Sequence, residues 1–145
     1  MREKEGVVLR NDLVDNLQGA QAIAERIAQL APEVPREYHE KLVKRLAEWD
    51  AAPADPARIA QEVALMADRC AIDEELSRLQ SHFGQFAACL DLQEEAGRRM
   101  DFLLQEMNRE VNTIGSKASH AEIAGCVVEM KSVLEKLREQ VQNIE

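Results

Sequence analysis

The sequence predicts an all-α protein: long amphipathic helices in an elongated bundle with coiled-coil-like packing. Three observations carry that expectation. Apolar residues recur at helical spacing along nearly all of the 145 residues. Aromatic residues are few, one Trp, one Tyr and three Phe, and there are only six Gly and four Pro. Strand-rich folds need many β-formers and many turns, so this composition weighs against them. An apolar content of 46% is enough for a packed core and excludes a fully disordered chain. The length suits one domain, so residues 1–145 are expected to form a single helical domain.

The elements follow in order. Leu13, Leu17, Ala20, Ala24, Ile27 and Ala31 alternate four and three apart, a period of about 3.5 residues per turn. Pro32 and Pro35 are expected to end this first helix. Tyr38, Leu42, Leu46 and Trp49 mark a short second helix. The segment 51–56, Ala-Ala-Pro-Ala-Asp-Pro, has linker composition, with Asp55 as N-cap and Pro56 as first helical residue. Ile59, Val63, Met66 and Cys70 form a third stripe. The stripe restarts one residue early as Ile72, Leu76, Leu79, Phe83, Phe86 and Leu90, which places a break at Cys70–Asp73. Asp73 is expected to cap the new helix, with Glu74 and Glu75 suited to its positive end. Gly97 separates it from a helix carrying Met100, Leu104, Met107, Val111 and Ile114. Ser119 and Glu122 have capping-box spacing. They open a last helix with Ile123, Val127, Met130, Leu134, Leu137, Val141 and Ile144, the longest unbroken alternation in the chain.

Several function classes are disfavoured. The formal charge of −9 argues against nonspecific nucleic-acid binding by net charge. The charged N-terminus lacks the apolar core of a signal peptide, and no run of about 18 apolar residues offers a membrane span. Cys70, Cys89 and Cys126 are isolated and show no zinc or redox spacing, so they are expected to be buried small hydrophobes in a reduced, cytoplasmic protein. No Gly-rich phosphate loop, HExxH or GxSxG is present, nor an aromatic-plus-basic surface for stacking single strands. His39 sits among charged residues and His120 inside the expected capping box, so neither stands out.

The helix over 98–117 is the informative one. At about 100° per residue, Glu106, Glu110, Thr113 and Lys117 line one flank of its apolar stripe, and Asp101, Gln105, Asn108 and Asn112 the other. Both flanks are expected to border neighbouring helices. Asn108, Asn112, Thr113, Gly115 and Ser116 are mediocre or poor helix formers, which points to selection for something besides helix stability. A fraying helix end accounts equally well for Gly115 and Ser116, but not for the two asparagines. On the helix over 73–92, Glu75, Arg78, His82 and Gln85 share one face. If the two helices pack together, Glu75 and His82 could face Glu106 and Glu110. Carboxylates with a neutral imidazole suit Mg²⁺ or Mn²⁺, which could polarise a phosphate. The plainer alternatives, a salt-bridged face and a surface histidine, remain open at this point.

The chain resembles the C-terminal half of the YicC/YloC family of bacterial proteins. The resemblance rests on REKEG at 2–6, DEELSRLQSH at 73–82, GRRMDFLLQEMNREVNTIGSK at 97–117, and the tail 129–145. It implies an endoribonuclease that acts on RNA, depends on a divalent metal (Mn²⁺ or Mg²⁺), and assembles as a homo-oligomer, with a hexamer expected for the full-length protein. On the matching segments, metal binding is assigned to Glu75, His82, Glu106 and Glu110. Catalysis is assigned to Glu110, Arg109, Lys117 and Asn112, and RNA contact to Arg78, Asn108, Arg109 and Lys117. The position before Ile72 is often acidic in that family; here it is Ala71, which is not counted as a ligand. The family's N-terminal half is absent, so Met1 is expected to start a fragment. A second expectation competes with the nuclease: a non-catalytic module whose final helix assembles subunits. The charge of −9 implies weak RNA binding by this chain alone, with most of the RNA track elsewhere.

Overall fold

Each apolar stripe becomes a helix. The computed structural model describes residues 2–49, 55–91 and 96–144. Six α-helices follow in order: α1 (Arg2–Leu30), α2 (Glu33–Glu48), α3 (Pro56–Arg69), α4 (Asp73–Cys89), α5 (Gly97–Lys117) and α6 (Ala121–Ile144). Among the described residues there is no strand, as expected of an all-α chain. The expected linker at 51–54 lies outside the described residues, as does the side chain of Ile144.

Four helices make the bundle. α1 packs on α6 and α4, and α5 packs on α4 and α6. Neighbours run antiparallel. Asn16 and Arg26 of α1 meet Gln140 and Glu122 of α6, and Arg10 near the start of α1 meets Asp91 just beyond α4. The core is the set of stripes turned inward: Leu13, Ile27, Leu79, Phe83, Phe86, Met107, Ile114, Met130 and Leu137 are all buried. Ala20 and Ala24 of α1 are buried too, and such small side chains let a neighbouring helix come close. α2 and α3 form a hairpin that packs mainly on itself. α2 buries only Val34, and α3 buries nothing.

The helix ends refine the expectations. Pro32 lies in the turn after α1, but Pro35 is the third residue of α2. A proline is tolerated there because the first four helical N–H groups have no partner within the helix. Asp55 caps α3 as expected, accepting the N–H of Ala57 at 3.1 Å, with Pro56 first in the helix. Asp73 is not a cap: Ile72 holds that position without a side-chain bond, and Asp73 begins the first turn beside Glu74 and Glu75. Ser119 is not a cap either. The ring Nδ1 of His120 accepts the N–H of Ile123 at 3.3 Å, and its carbonyl accepts the N–H of Ala124 at 2.9 Å. The imidazole therefore takes the place of the expected hydroxyl.

α5 does not fray early but runs to Lys117. A Cβ on Gly115 would lie 3.3 Å from a methyl of Val127, so the glycine is explained by the approach of α6. Cys89 and Cys126 are buried and Cys70 half-buried, all with free thiols. Among the described residues no helix is long and apolar enough to cross a membrane.

Candidate functional site

The facing polar residues of α4 and α5 form a ladder. Lys117 Nζ donates to Glu75 Oε1 at 2.6 Å. Arg78 Nε donates to Glu110 Oε1 at 2.9 Å, and its guanidinium stands 3.6 Å from both Glu75 and Glu74. Nearer the other end, Arg99 Nη2 donates to Gln85 Oε1 at 3.1 Å. The antiparallel register sets His82 level with Glu106. Both are half-buried, and no hydrogen bond joins them.

Burial is uneven. Glu75 is 2% exposed and Glu110 7%, whereas the Arg78 and Lys117 side chains keep 49% and 39% in solvent. The long cations thus cover the carboxylates while their heads reach water. Burial pushes the Glu75 carboxyl up. The hydrogen bonds from Lys117 and from its own backbone N–H, with the charges of Lys117 and Arg78, outweigh burial and hold it below its ordinary value. The hydrogen bond to Glu110 raises Arg78 above its ordinary value. Among the described residues, Glu75 Oε2 and His82 Nδ1 are buried without a protein hydrogen-bond partner.

The four expected metal ligands do not converge. Glu75 and His82 are seven residues apart on one helix, which is about 10 Å along its axis. Ligand bonds of about 2 Å require ligand atoms within about 4 Å of one another. Among the described residues, no three ligand atoms of Glu75, His82, Glu106 and Glu110 gather within 4.8 Å. Lys117 and Arg78 close the two buried carboxylates instead. These four residues do not fit one shared ion in this arrangement.

The expected RNA contacts divide as well. Arg78 and Lys117 are engaged in the ladder. Asn108, Arg109 and Asn112 are exposed on α5, and Arg109 makes no ion pair among the described residues. Of the two flanks of α5, Glu110 and Lys117 bond α4 directly, while half-buried Asp101 of the other flank borders α6 across an open groove. Gln105, Asn108 and Asn112 face solvent, and Gln105 bonds Asp101 at 3.3 Å.

Two features escape sequence reasoning. Arg98, Asp101, Phe102 and Gln105 of α5, with Val141 and Gln142 of α6, line an open groove of about 490 Å³. Phe102 is 57% exposed there, in the same groove as Arg98. The available signal was that Phe102 lies off its helix's apolar stripe. The other feature is the meeting of Glu33 and Glu37 with His120. The two glutamates are one helical turn apart, but nothing local connects them to the histidine.

Residues 27–145 match the family of C-terminal domains of YicC-like endoribonucleases. The chain belongs to that family. Over 147 aligned residues it is 46% identical to a probable endoribonuclease YicC of Clostridioides difficile, covering all of this chain and 50% of that protein. Over 145 residues it is 36% identical to a probable endoribonuclease YicC of Haemophilus influenzae, again covering all of this chain and 50% of that protein. The chain thus spans about half the length of these relatives. In this YicC-like domain, the segments at 73–82 and 97–117 that carry the resemblance form the two sides of the polar ladder.

Proposed function

We propose that the chain is the helical half of an endoribonuclease that cleaves RNA phosphodiester bonds, with α5 presenting the RNA-facing residues. The observation that carries this is the exposed strip Asn108, Arg109 and Asn112 beside the buried ladder. Exposed helix positions gain nothing in stability from asparagine, which is a weak helix former. Amides and an unpaired guanidinium are well suited to phosphate and 2′-hydroxyl groups. The substrate class comes from the relatives, which are probable endoribonucleases.

In this proposal Arg109 contacts a phosphate, because it alone of the assigned cations is not already held by a carboxylate. Asn108 and Asn112 orient the backbone on either side of it. Glu75, Arg78, Glu110 and Lys117 hold α4 and α5 in register and present the strip rigidly. Phe102 and Arg98 extend the surface along α5 with a face for a base to stack on. Dependence on Mn²⁺ or Mg²⁺ remains part of the proposal for the whole protein, with no ligand role for a carboxylate that Lys117 holds.

The test uses labelled RNA with the full-length protein and with this chain alone, each with Mn²⁺ and with EDTA. Full-length protein is expected to cleave, EDTA to stop it, and Arg109→Ala to slow it at least tenfold. Undiminished cleavage by Arg109→Ala would remove α5 from the RNA surface. Product ends separate the chemistries: a 5′-hydroxyl with a 2′,3′-cyclic phosphate reports attack by the 2′-hydroxyl, and a 5′-phosphate with a 3′-hydroxyl reports attack by water.

The competing assembly module loses its main support. The α6 stripe expected to join subunits is buried against α1 and α5 of the same chain: Ile123, Met130, Leu137 and Val141 are at most 1% exposed. Homo-oligomerisation remains a proposal, checked by light scattering. It would have to use other surfaces, such as α3, where Leu65 is 51% exposed.

A further inference from the structure

Glu33 and Glu37 lie one turn apart at the start of α2, and His120 directly precedes α6. His120 Nε2 is 3.2 Å from Glu33 Oε2 and 3.3 Å from Glu37 Oε1. The three ligand atoms all lie within 4.8 Å of one another. The imidazole side chain is 2% exposed, the carboxylates 44% and 43%. A buried nitrogen is thus aimed outward at two carboxylates near the surface.

Three features point to a cation here. The first is the charge count. Carboxylates one turn apart repel each other, and among the described residues neither Glu33 nor Glu37 pairs with a lysine or arginine. One imidazole N–H faces both, and a single hydrogen lies in line with only one acceptor. The second is spacing. Donor atoms bound about 2.0–2.2 Å from a tetrahedral ion stand about 3.3–3.6 Å apart, and Nε2, 3.2 and 3.3 Å from the two carboxylate oxygens, is placed to serve a hydrogen bond and such an ion alike. The third is the donor set. One imidazole nitrogen with two carboxylate oxygens suits Zn²⁺, with three protein ligands and one open position. At one such site a nitrogen donor ranks Zn²⁺ above Mn²⁺ and Mg²⁺ in affinity.

We propose that Glu33, Glu37 and His120 bind a zinc-type transition-metal ion, which staples the α2–α3 hairpin to the α5–α6 corner. The site is separate from the α4–α5 ladder and does not rest on the RNA-cleavage proposal. On binding, the ring proton moves from Nε2 to Nδ1, and the metal takes the Nε2 lone pair, so no net proton is released. Nδ1 then stops accepting the N–H of Ile123, a contact already long at 3.3 Å. The backbone bond from Ala124 to the His120 carbonyl is kept. The metal therefore replaces a weak cap with a cross-link between two distant helix starts.

The test is calorimetric titration of the EDTA-stripped, desalted protein with Zn²⁺, beside His120→Asn and Glu37→Gln. Asparagine can still cap Ile123, so His120→Asn separates the staple from the cap. The wild type is expected to bind one Zn²⁺ per chain and to melt at a higher temperature with it. Both variants are expected to bind at least tenfold more weakly, with His120→Asn melting like the wild type in EDTA. Co²⁺ in place of Zn²⁺ should show the visible absorption of a tetrahedral site in the wild type only. Absence of Zn²⁺ binding by the wild type overturns the proposal. So does equal binding by His120→Asn, which would place the ion elsewhere.

Discussion

Two antiparallel helix pairs in one bundle are built from different materials. Across α1–α6 the contact is apolar: α1 brings Leu13, Leu17, Ala20, Ala24 and Ile27 and α6 brings Met130, Leu134 and Leu137 to one buried cluster. Its polar contacts are Asn16 with Gln140 and Arg26 with Glu122. Across α4–α5, Leu79, Phe83 and Met107 supply the same kind of core, but Glu75 and Glu110 are buried with it. Burying a carboxylate carries a desolvation penalty that an ion pair only partly offsets. The α1–α6 pair shows that this chain can join two helices without one. The ladder is therefore poorly explained by stability alone, and it lies in two of the four segments that carry the family resemblance, the tail 129–145 on α6 being another.

The largest effect is expected on the apolar side. Leu137→Ala should lower unfolding stability by about 2–5 kcal/mol, read from urea denaturation, because Leu137 is fully buried and its removal leaves a cavity. An effect below about 1 kcal/mol would show that α1–α6 is not the stabilising half.

Breaking the ladder should cost less. Lys117→Met leaves the buried Glu75 carboxylate with only Arg78, at 3.6 Å, for about 1–3 kcal/mol. Glu75→Gln added to Lys117→Met should recover part of that loss, because no buried charge is then left unpaired. A double variant as unstable as the sum of the two single ones would mean that the residues are not coupled.

Acid gives a smaller, graded effect. The Glu75 carboxyl is held below its ordinary value in the folded chain. Its stabilisation is fully present above the ordinary glutamate value and is lost as pH falls through the lowered one. Glu75→Gln should flatten the acid limb of stability against pH, while Asn16→Ala at the α1–α6 edge should leave it unchanged.

The smallest stability effect belongs to the proposed RNA strip. Arg109→Ala should unfold within about 0.5 kcal/mol of the wild type, because the side chain is exposed and unpaired among the described residues. Lost cleavage with unchanged stability would separate the strip from the ladder that supports it.

Much of the fold was legible because it is local. The alternation from Leu13 to Ala31 and from Ile123 to Val141 marks α1 and α6, and the phase slip at Cys70–Asp73 marks the break between α3 and α4. Helix ends were less legible, because Asp73, Ser119 and Pro35 each fit more than one position near a terminus. The site was legible by face but not by partner. The spacing of Glu75, Arg78, His82 and Gln85 places them together, yet says nothing about which α5 residue each one meets.

The sequence by itself determined the helices and the face each one buries, since both follow from a period of about 3.6 residues. Only the tertiary structure decided the pairings. Lys117 took Glu75, 42 residues away, and Arg78 took Glu110, 32 away, because the antiparallel register of α4 and α5 set them level. His120 came to lie against Glu33, 87 residues away, because the chain brings the starts of α2 and α6 together. A contact across that distance depends on how every intervening helix packs, and no local pattern encodes it.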